Sequence, residues 1–408
     1  MKPGRTLPPV GYRVPMTDVV RSAAGAVARR QGCTEALLAE MATALNVSHA
    51  YGVSSGKAAL TTILRALHSL TGRRKVVLPA YTCYSVPSAI VKAGLEPVPV
   101  DIARDSFDYD YEHLGRVLDS DVLCALSVHL FGIPSDTRRL VDVCRRHGIY
   151  VVEDAAQAFG VIAEGRQLGT GGDVGFFSLG RGKNLTSGSG GVIVTASPQI
   201  AEALSTFVSQ LPQPSLPQSL VNLSALGVLS IFISPSMYWF PAGLPFLKLG
   251  ETIFYDDFPV RSLSGFQARL LHDWKTTISA LNAARLVAVK FYLQRIANAP
   301  PAAANVPCLR FPLLIDDPKE RQTLLADHGG RRFGISWMYP TSVGRIPQLA
   351  GRLPAYSFPQ AEQVASSLVT LPTHPLLTRT DLERIVEFVN RAMATSRRVP
   401  HSIEQRVV

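Results

Sequence analysis

The stretch Gly172-Asp-Val-Gly-Phe-Phe-Ser-Leu-Gly-Arg-Gly-Lys-Asn-Leu-Thr-Ser-Gly-Ser-Gly-Gly191 decides how this chain is read. Val174–Ser178 is a short apolar run of the kind that forms a buried strand. It leaves through Ser178 into a glycine-rich loop bearing Lys183, and a second strand begins at Gly191. Glycines let a backbone approach a ligand closely. A lysine amine becomes nucleophilic at neutral pH only when it is desolvated or set near other cations. A P-loop is the competing reading, but its GxxxxGK[ST] spacing is not met. Gly175 stands too far from Gly182, and Asn184 follows the lysine.

Outward from this stretch, apolar runs recur at Lys75–Ala80, Pro97–Ile102, Leu123–Val128, Ile149–Glu153 and Gly191–Thr195. Helical patterns separate them, notably Lys57–Leu70 and Thr137–His147, the latter stopped by Gly148. This alternation predicts an α/β fold with a mostly parallel central sheet covered on both faces. Ligands of such sheets bind beyond the carboxyl ends of the strands, so strand-end residues are the candidates for chemistry.

A chain of 408 residues is too long for one small core. We expect an N-terminal arm with helices over 1–50 and a large domain over 51–262. A long helix and a smaller C-terminal α+β domain follow over 263–408. Hydrophobic residues at 47% against 18% charged fit a globular protein with a large buried sheet. The net charge of +10 suggests an anionic partner. Its basic clusters (Arg29-Arg30, Arg73-Arg74-Lys75, Arg145-Arg146, Arg331-Arg332) are scattered and match no compact nucleic-acid motif. No nucleic-acid partner is expected; a phosphorylated small substrate, an acidic membrane surface and plain solubility stay open. Five widely spaced cysteines offer no metal-ligand spacing, so no metal is expected and a reducing cytoplasm is the expected compartment. The N-terminal MKPGRTLPPVGYRVP has no apolar core of a secretory signal.

Residues 209–256 differ in composition and read as an insertion. Ser209–Pro217 is punctuated by proline, and Leu220–Leu247 is strongly apolar, interrupted by Pro235, Pro241 and Pro245. Its longest piece, Leu220 to Ile233, falls short of the ~20 residues that span a bilayer. Two readings compete: a core or subunit-interface insertion, and a surface helix within 218–248 resting peripherally on the inner membrane. Beyond it, Ser264–Ala297 reads as one long helix, Arg310–Ile315 as a strand and Asp381–Ala394 as an amphipathic helix.

Two further strand ends matter. In Tyr51-Gly-Val-Ser-Ser-Gly-Lys-Ala-Ala-Leu60 a small-residue turn opens a helix. Free N–H groups there suit a phosphate, and Lys57 adds a positive charge, although an ordinary helix cap explains the same residues. In Ile149-Tyr-Val-Val-Glu-Asp-Ala-Ala-Gln-Ala158 a hydrophobic strand ends in two acids. A buried acid needs a cationic or hydrogen-bonded partner. A protonated pyridine nitrogen is one such partner, and a helix N–H is another.

The ordered set SSGKAAL, LPAYT, AGLEPVPVDI, HLFGIPSD, VVEDAAQAFG, GDVGFFSLGRGKNL, GSGGVIVT, Gly334-Ile335 and LPTHPLLT resembles the DegT/DnrJ/EryC1/StrS family of fold-type I enzymes dependent on pyridoxal 5′-phosphate (PLP). The likeness runs from about Gly52 to Phe388, apart from the insertion. It implies that Lys183 is the Schiff-base lysine and that Asp154 pairs with the pyridine nitrogen. Gln157 would lie near the ring hydroxyl, and Ser178 would bind the cofactor phosphate. Gly56, Lys57 and Ala58 would also surround that phosphate, Lys57 standing where the family commonly has threonine.

Two departures bear on the site. Where the family often stacks an aromatic ring on the cofactor this chain has Cys83, which leaves two readings: Tyr81 or Tyr84 supplies the ring, or the cofactor face is lined differently. The family's Asn-Tyr-Arg, whose asparagine reaches the partner subunit's phosphate, lacks its asparagine here, although Arg261 and Gln267-Ala268 are kept. Tyr84, His129, Asn184 and Tyr339 are the candidate substrate contacts. Positional hydrogen bonding is the competing account of His129, packing that of Tyr339, and His374 reads as structural support.

The resemblance implies a homodimeric aminotransferase. It would move an amino group from an amino acid, glutamate by expectation, to a keto group on a nucleotide-linked sugar. The alternatives are a catalytically silent PLP-binding or regulatory protein, and a transaminase or dehydratase acting on a non-nucleotide or lipid-linked acceptor. The family's sugar dehydratase replaces the lysine with histidine, so an intact Lys183 argues against dehydration.

Overall fold

The computed structural model describes residues 4–27, 32–244, 250, 252–297, 299–326, 330–353 and 357–395. The Arg29-Arg30 pair, residues 1–3 and residues 245–249 and 251 of the apolar insertion lie outside these.

The strands are β1 (His49–Val53), β2 (Lys75–Pro79), β3 (Glu96–Val100), β4 (Val122–Val128) and β5 (Tyr150–Asp154), then the two-residue pair β6 (Ile162–Ala163) and β7 (Arg166–Gln167). They continue as β8 (Val174–Ser178), β9 (Gly191–Thr195), β10 (Arg310–Leu314) and β11 (Leu368–Pro372). Seven form one sheet in the order β1-β9-β8-β5-β4-β2-β3, in which only β9 runs against the rest. The expected mostly parallel α/β sheet is therefore present. β1 is not among the apolar runs read as strands, although its end at Tyr51–Val53 is read as a strand end.

Successive side chains of a strand point to opposite faces. Val76, Leu78, Leu126 and Val152 enter one apolar core, which also holds Leu60, Ile63 and Leu64 of the helix Gly56–Thr71. Val77, Ala125 and Val151 enter a second core with Leu114 and Leu140 from the helices Tyr111–Val117 and Thr137–Arg145. Both faces are covered, which is why these strands read as continuous apolar runs rather than alternating ones. The parallel strands set the carboxyl ends of β1, β2, β4, β5 and β8 along one sheet edge. β9 begins at that edge: a Cβ on Gly191 would lie 2.5 Å from the Ser55 carbonyl oxygen. Only a glycine lets the turn after β1 sit against the start of β9.

The smaller lobe pairs β10 with β11 and carries the helices Pro318–Leu325, Pro359–Ser367 and Arg379–Thr395. The expected long helix over 264–297 is two helices, Gly265–Leu270 and Trp274–Leu293. The insertion forms the helix Leu216–Phe232, opened by a Ser215/Gln218 capping box. Its Leu223 and Leu226 pack with Val14, Val19 and Phe266, while Leu216, Leu220, Val221 and Val228 stay exposed. Among the described residues no helix is long and apolar enough to cross a membrane.

Candidate active site

The strand ends surround a cavity of about 190 Å³, lined among others by Ser55, Gly56 and Lys57 after β1, Thr82 and Cys83 after β2, and His129 after β4. Asp154 and Gln157 at β5, Ser178 at β8, and Lys183 complete its polar wall. The topology thus gathers residues more than a hundred positions apart. Of the expected site residues, Ala58, Tyr81, Tyr84, Asn184 and Tyr339 lie outside this lining.

At one end, Ser55 caps the sixteen-residue helix Gly56–Thr71 by accepting from the Ala58 N–H at 3.1 Å. A Cβ on Gly56 would stand 2.9 Å from Ser178 Cβ and 3.0 Å from its Oγ, so the glycine keeps this corner open. The Lys57 ammonium sits 4.6 Å from the centre of the Tyr255 ring and 4.4 Å from that of Phe258. Both are cation–π distances. Burial lowers its pKa, and Cys83 opposes that shift. A hydroxyl, a helix N-terminus and a desolvated ammonium facing one corner form a suitable seat for a phosphate.

At the other end, Asp154 is buried, and its Oδ1 accepts from the Ala156 N–H at 2.9 Å. Burial raises its pKa, against the Ala156 hydrogen bond and the charge of Lys183. Among the described residues Oδ2 has no hydrogen-bond donor, so a ring N–H in the cavity would complete it. Thr82 Oγ1, also buried, has no partner among the described residues. PLP fits this set: Asp154 would hold the ring nitrogen, and Ser55, Gly56, Lys57 and Ser178 the phosphate.

Neighbouring residues fix the frame. Glu153 points away from Asp154, as successive strand residues must. It accepts from Gly169 N–H (2.8 Å), Gly171 N–H (2.5 Å) and Gly172 N–H (3.0 Å), and its Oε1 lies 2.6 Å from His129 Nε2. His129 Nδ1 accepts from the Ser135 N–H at 3.1 Å, so Nε2 carries the proton donated to Glu153. Burial pushes the Glu153 carboxyl up, but the His129 and glycine hydrogen bonds outweigh it and hold the group at about 2.

Gln157 accepts from the Phe131 N–H at 3.0 Å and donates to the Tyr339 hydroxyl at 2.7 Å. Tyr339 has a φ of 52°, rare outside glycine, and meets Tyr81 edge-on at 5.8 Å. The Tyr81 hydroxyl donates to the Met338 carbonyl at 2.5 Å, and the Tyr84 hydroxyl lies 2.5 Å from Thr341 Oγ1. Both tyrosines are thus bound to the 338–341 segment, and the cavity wall beside them is Cys83, its Sγ 3.0 Å from Ser85 Oγ.

The lysine loop is pinned from below. Leu179 N–H donates to Gly190 O at 2.8 Å, and the buried Arg285 of the helix Trp274–Leu293 donates to Asn184 O at 2.9 Å and to Asn282 Oδ1 at 2.7 Å. Burial lowers the Arg285 pKa to about 10, with Tyr12 opposing. The Asn184 side chain is buried without a hydrogen-bond partner among the described residues. Sequence reading missed Ser55, Thr82, Glu153 and Arg285 as parts of the site. Ser55 and Thr82 stood inside quoted motifs; Arg285, about a hundred residues from the loop it holds, had no local signal.

The pattern of the DegT/DnrJ/EryC1/StrS aminotransferase family matches residues 17–213. The dTDP-3-amino-3,4,6-trideoxy-alpha-D-glucose transaminase of Streptomyces venezuelae is 29% identical over 361 residues, covering 87% of this chain and 86% of that enzyme. The GDP-perosamine synthase of Vibrio cholerae is 36% identical over 158 residues, 39% of this chain and 43% of that protein. The structure of S. venezuelae DesV, solved in complex with a ketimine intermediate, superposes with a TM-score of 0.72 at 26% identity, covering 93% of this chain and 98% of DesV. Fold, cavity and relatives agree: the chain carries the DegT/DnrJ/EryC1/StrS aminotransferase pattern over residues 17–213 and is a PLP-dependent aminotransferase of fold type I.

Proposed function

We propose that this aminotransferase takes an amino group from glutamate and delivers it to a keto group of a nucleotide-linked sugar, with Lys183 and Asp154 as its catalytic pair. The observation that carries the reading is that a buried carboxylate and a lysine amine, from separate strand ends, face one cavity whose far corner suits a phosphate. Bound PLP supplies an electron sink for the carbon that carries the amine. Asp154 accepts the hydrogen bond of the ring nitrogen and keeps it protonated; burial makes that bond strong and leaves the carboxylate in need of it. Lys183, on its glycine loop, carries the proton to and from the reacting carbon. Ser55, Ser178 and Lys57 hold the phosphate, and Cys83 and Gln157 border the ring.

The nucleotide-sugar acceptor is supported by the dTDP- and GDP-sugar names of the relatives. We take the working form to be a homodimer, on the strength of the family resemblance, and place it in the cytoplasm on the strength of its widely spaced cysteines.

The test is spectroscopic. PLP-loaded protein should show the visible band of the lysine-bound cofactor, absent in Lys183→Ala. Glutamate should convert that band to the pyridoxamine phosphate spectrum, and a nucleotide-linked keto-sugar should restore it. A protein that binds PLP yet answers no amino donor would overturn the reading in favour of a silent binder. Restoration only by a ketone without a nucleotide would replace the acceptor.

A further inference from the structure

Phe131, with a φ of 61°, and Tyr339, with a φ of 52°, hold a left-handed backbone that is rare outside glycine. Both hydrogen-bond to one group, the Gln157 amide. We propose, on the site reading above in which Gln157 borders the cofactor ring, that Tyr339 is a positioning residue: it aims a Gln157 N–H at a ring oxygen. Tyr339 itself stands outside the cavity lining, so it acts only through the amide.

Strained backbone persists where surrounding contacts over-determine it, and it gathers at functional sites. The segment that carries Tyr339 is tied at both ends. It leaves the smaller lobe where Ser336 pairs with Thr370 of β11, and it reaches the end of β2 where Val343 N–H donates to Ala80 O at 2.7 Å. Between these ties the Tyr339 ring is buried against Tyr81.

Donor and acceptor chemistry then fixes the amide. The Phe131 N–H can only donate, so Gln157 Oε1 faces it at 3.0 Å and Nε2 faces the Tyr339 hydroxyl at 2.7 Å. That bond uses one of the two N–H groups on Nε2. The second has no partner among the described residues, and Gln157 lines the cavity, so a ring oxygen is the acceptor it fits. Burial keeps the Tyr339 hydroxyl protonated, with Cys83, Tyr81 and Asp154 raising its pKa further. Its proton goes to the neighbouring Cys83, which leaves the oxygen lone pair for Gln157. Through one buried phenol, the smaller lobe takes part in aligning the cofactor.

Tyr339→Phe keeps the ring against Tyr81 and removes only the hydroxyl. The Gln157 donor is then no longer aimed, and an anionic ring oxygen loses part of its stabilisation. In PLP-loaded protein the pH at which the visible band titrates should rise by about half a unit. PLP should bind about threefold more weakly in fluorescence titration. Gln157→Leu should give the same rise, and adding Tyr339→Phe to it should move the midpoint no further, because the phenol acts through the amide. A lower melting temperature with an unchanged midpoint in Tyr339→Phe would make Tyr339 a packing residue and overturn the proposal. A further, additive rise in the double variant would overturn it as well. The Gln157→Leu arm reads the same oxygen without touching Tyr339, so an unchanged midpoint there overturns the proposal even if Tyr339→Phe does not fold. Wild-type protein whose visible band survives Lys183→Ala overturns the site reading itself. A normal wild type beside an unchanged Tyr339→Phe overturns the role of Tyr339 alone.

Discussion

Glu153 and Asp154 are adjacent acids on one strand, and their environments give them opposite tasks. Three glycine N–H groups and His129 surround Glu153, whereas Asp154 keeps an oxygen for the cavity. Glu153→Gln puts an amide where an acceptor-only group met four donors. It should cost about 3–5 kcal/mol, the penalty for breaking a buried charged network. The pH dependence has a definite sign. The Glu153 carboxyl titrates at about 2 when folded against 4.5 ordinarily, so its stabilisation is complete above pH 4.5 and is lost as pH falls toward 2. Urea unfolding should show a gap between wild type and Glu153→Gln that narrows over this window; a gap independent of pH would assign the loss to packing. From sequence, the pair was legible as two acids at a buried strand end. Which one faced the ligand depended on the pleat and on glycines 16 to 19 residues downstream. The same holds for His129, whose ring serves Glu153 and Ser135 while its edge lines the cavity.

At the scale of elements, the apolar strands and the helices Gly56–Thr71 and Thr137–Arg145 were legible because both faces of a parallel sheet are buried. Three features were not. β1 is half-polar (His49-Ala-Tyr-Gly-Val53) and becomes a strand through pairing with β9. The pattern over 264–297 keeps its apolar period across the break at Leu271–Asp273, so periodicity alone joins the two helices. The third is Arg285, on the longer of those helices, which grips the carbonyl beside Lys183 from beneath. Its guanidinium makes no ion pair with a carboxylate among the described residues, and burial disfavours its charge. Replacing it with an apolar side chain of similar length removes that penalty along with two hydrogen bonds. Arg285→Met should therefore change the melting temperature little, yet loosen the lysine loop. The expected readout is a roughly tenfold weaker hold on PLP, about 1.4 kcal/mol, in fluorescence titration. Unchanged PLP affinity would mean the loop is held by its own hydrogen bonds, such as Leu179 to Gly190.

Across the whole molecule, the N-terminal arm binds parts of the chain that are remote in sequence. Thr6 N–H donates to Pro235 O at 2.8 Å and Leu7 N–H to Arg332 O at 2.9 Å. His374 Nε2 donates to Pro8 O at 2.8 Å, while its Nδ1 accepts from the Leu376 N–H at 3.3 Å. The ring is therefore the neutral tautomer, with no lone pair left for a second proton. Burial lowers its pKa from 6.5 to about 4; Pro8 and Asp381 oppose the shift, and Arg285 and Arg310 add to it. For a base held below its ordinary value, the stabilisation is full above pH 6.5 and is lost as pH falls through 4. The fall from 6.5 to about 4 corresponds to roughly 3 kcal/mol. Mild acid should therefore weaken the wild-type protein well before Glu153 titrates. His374→Gln can still donate to Pro8 but does not titrate, so it should flatten the stability profile between pH 6.5 and 4. A thermal-melt series across that range decides the point: an equally steep fall in His374→Gln would move the acid sensitivity to another group, and not to the Arg5–Asp381 pair beside the same arm, whose carboxyl is held at about 2 and titrates below this range.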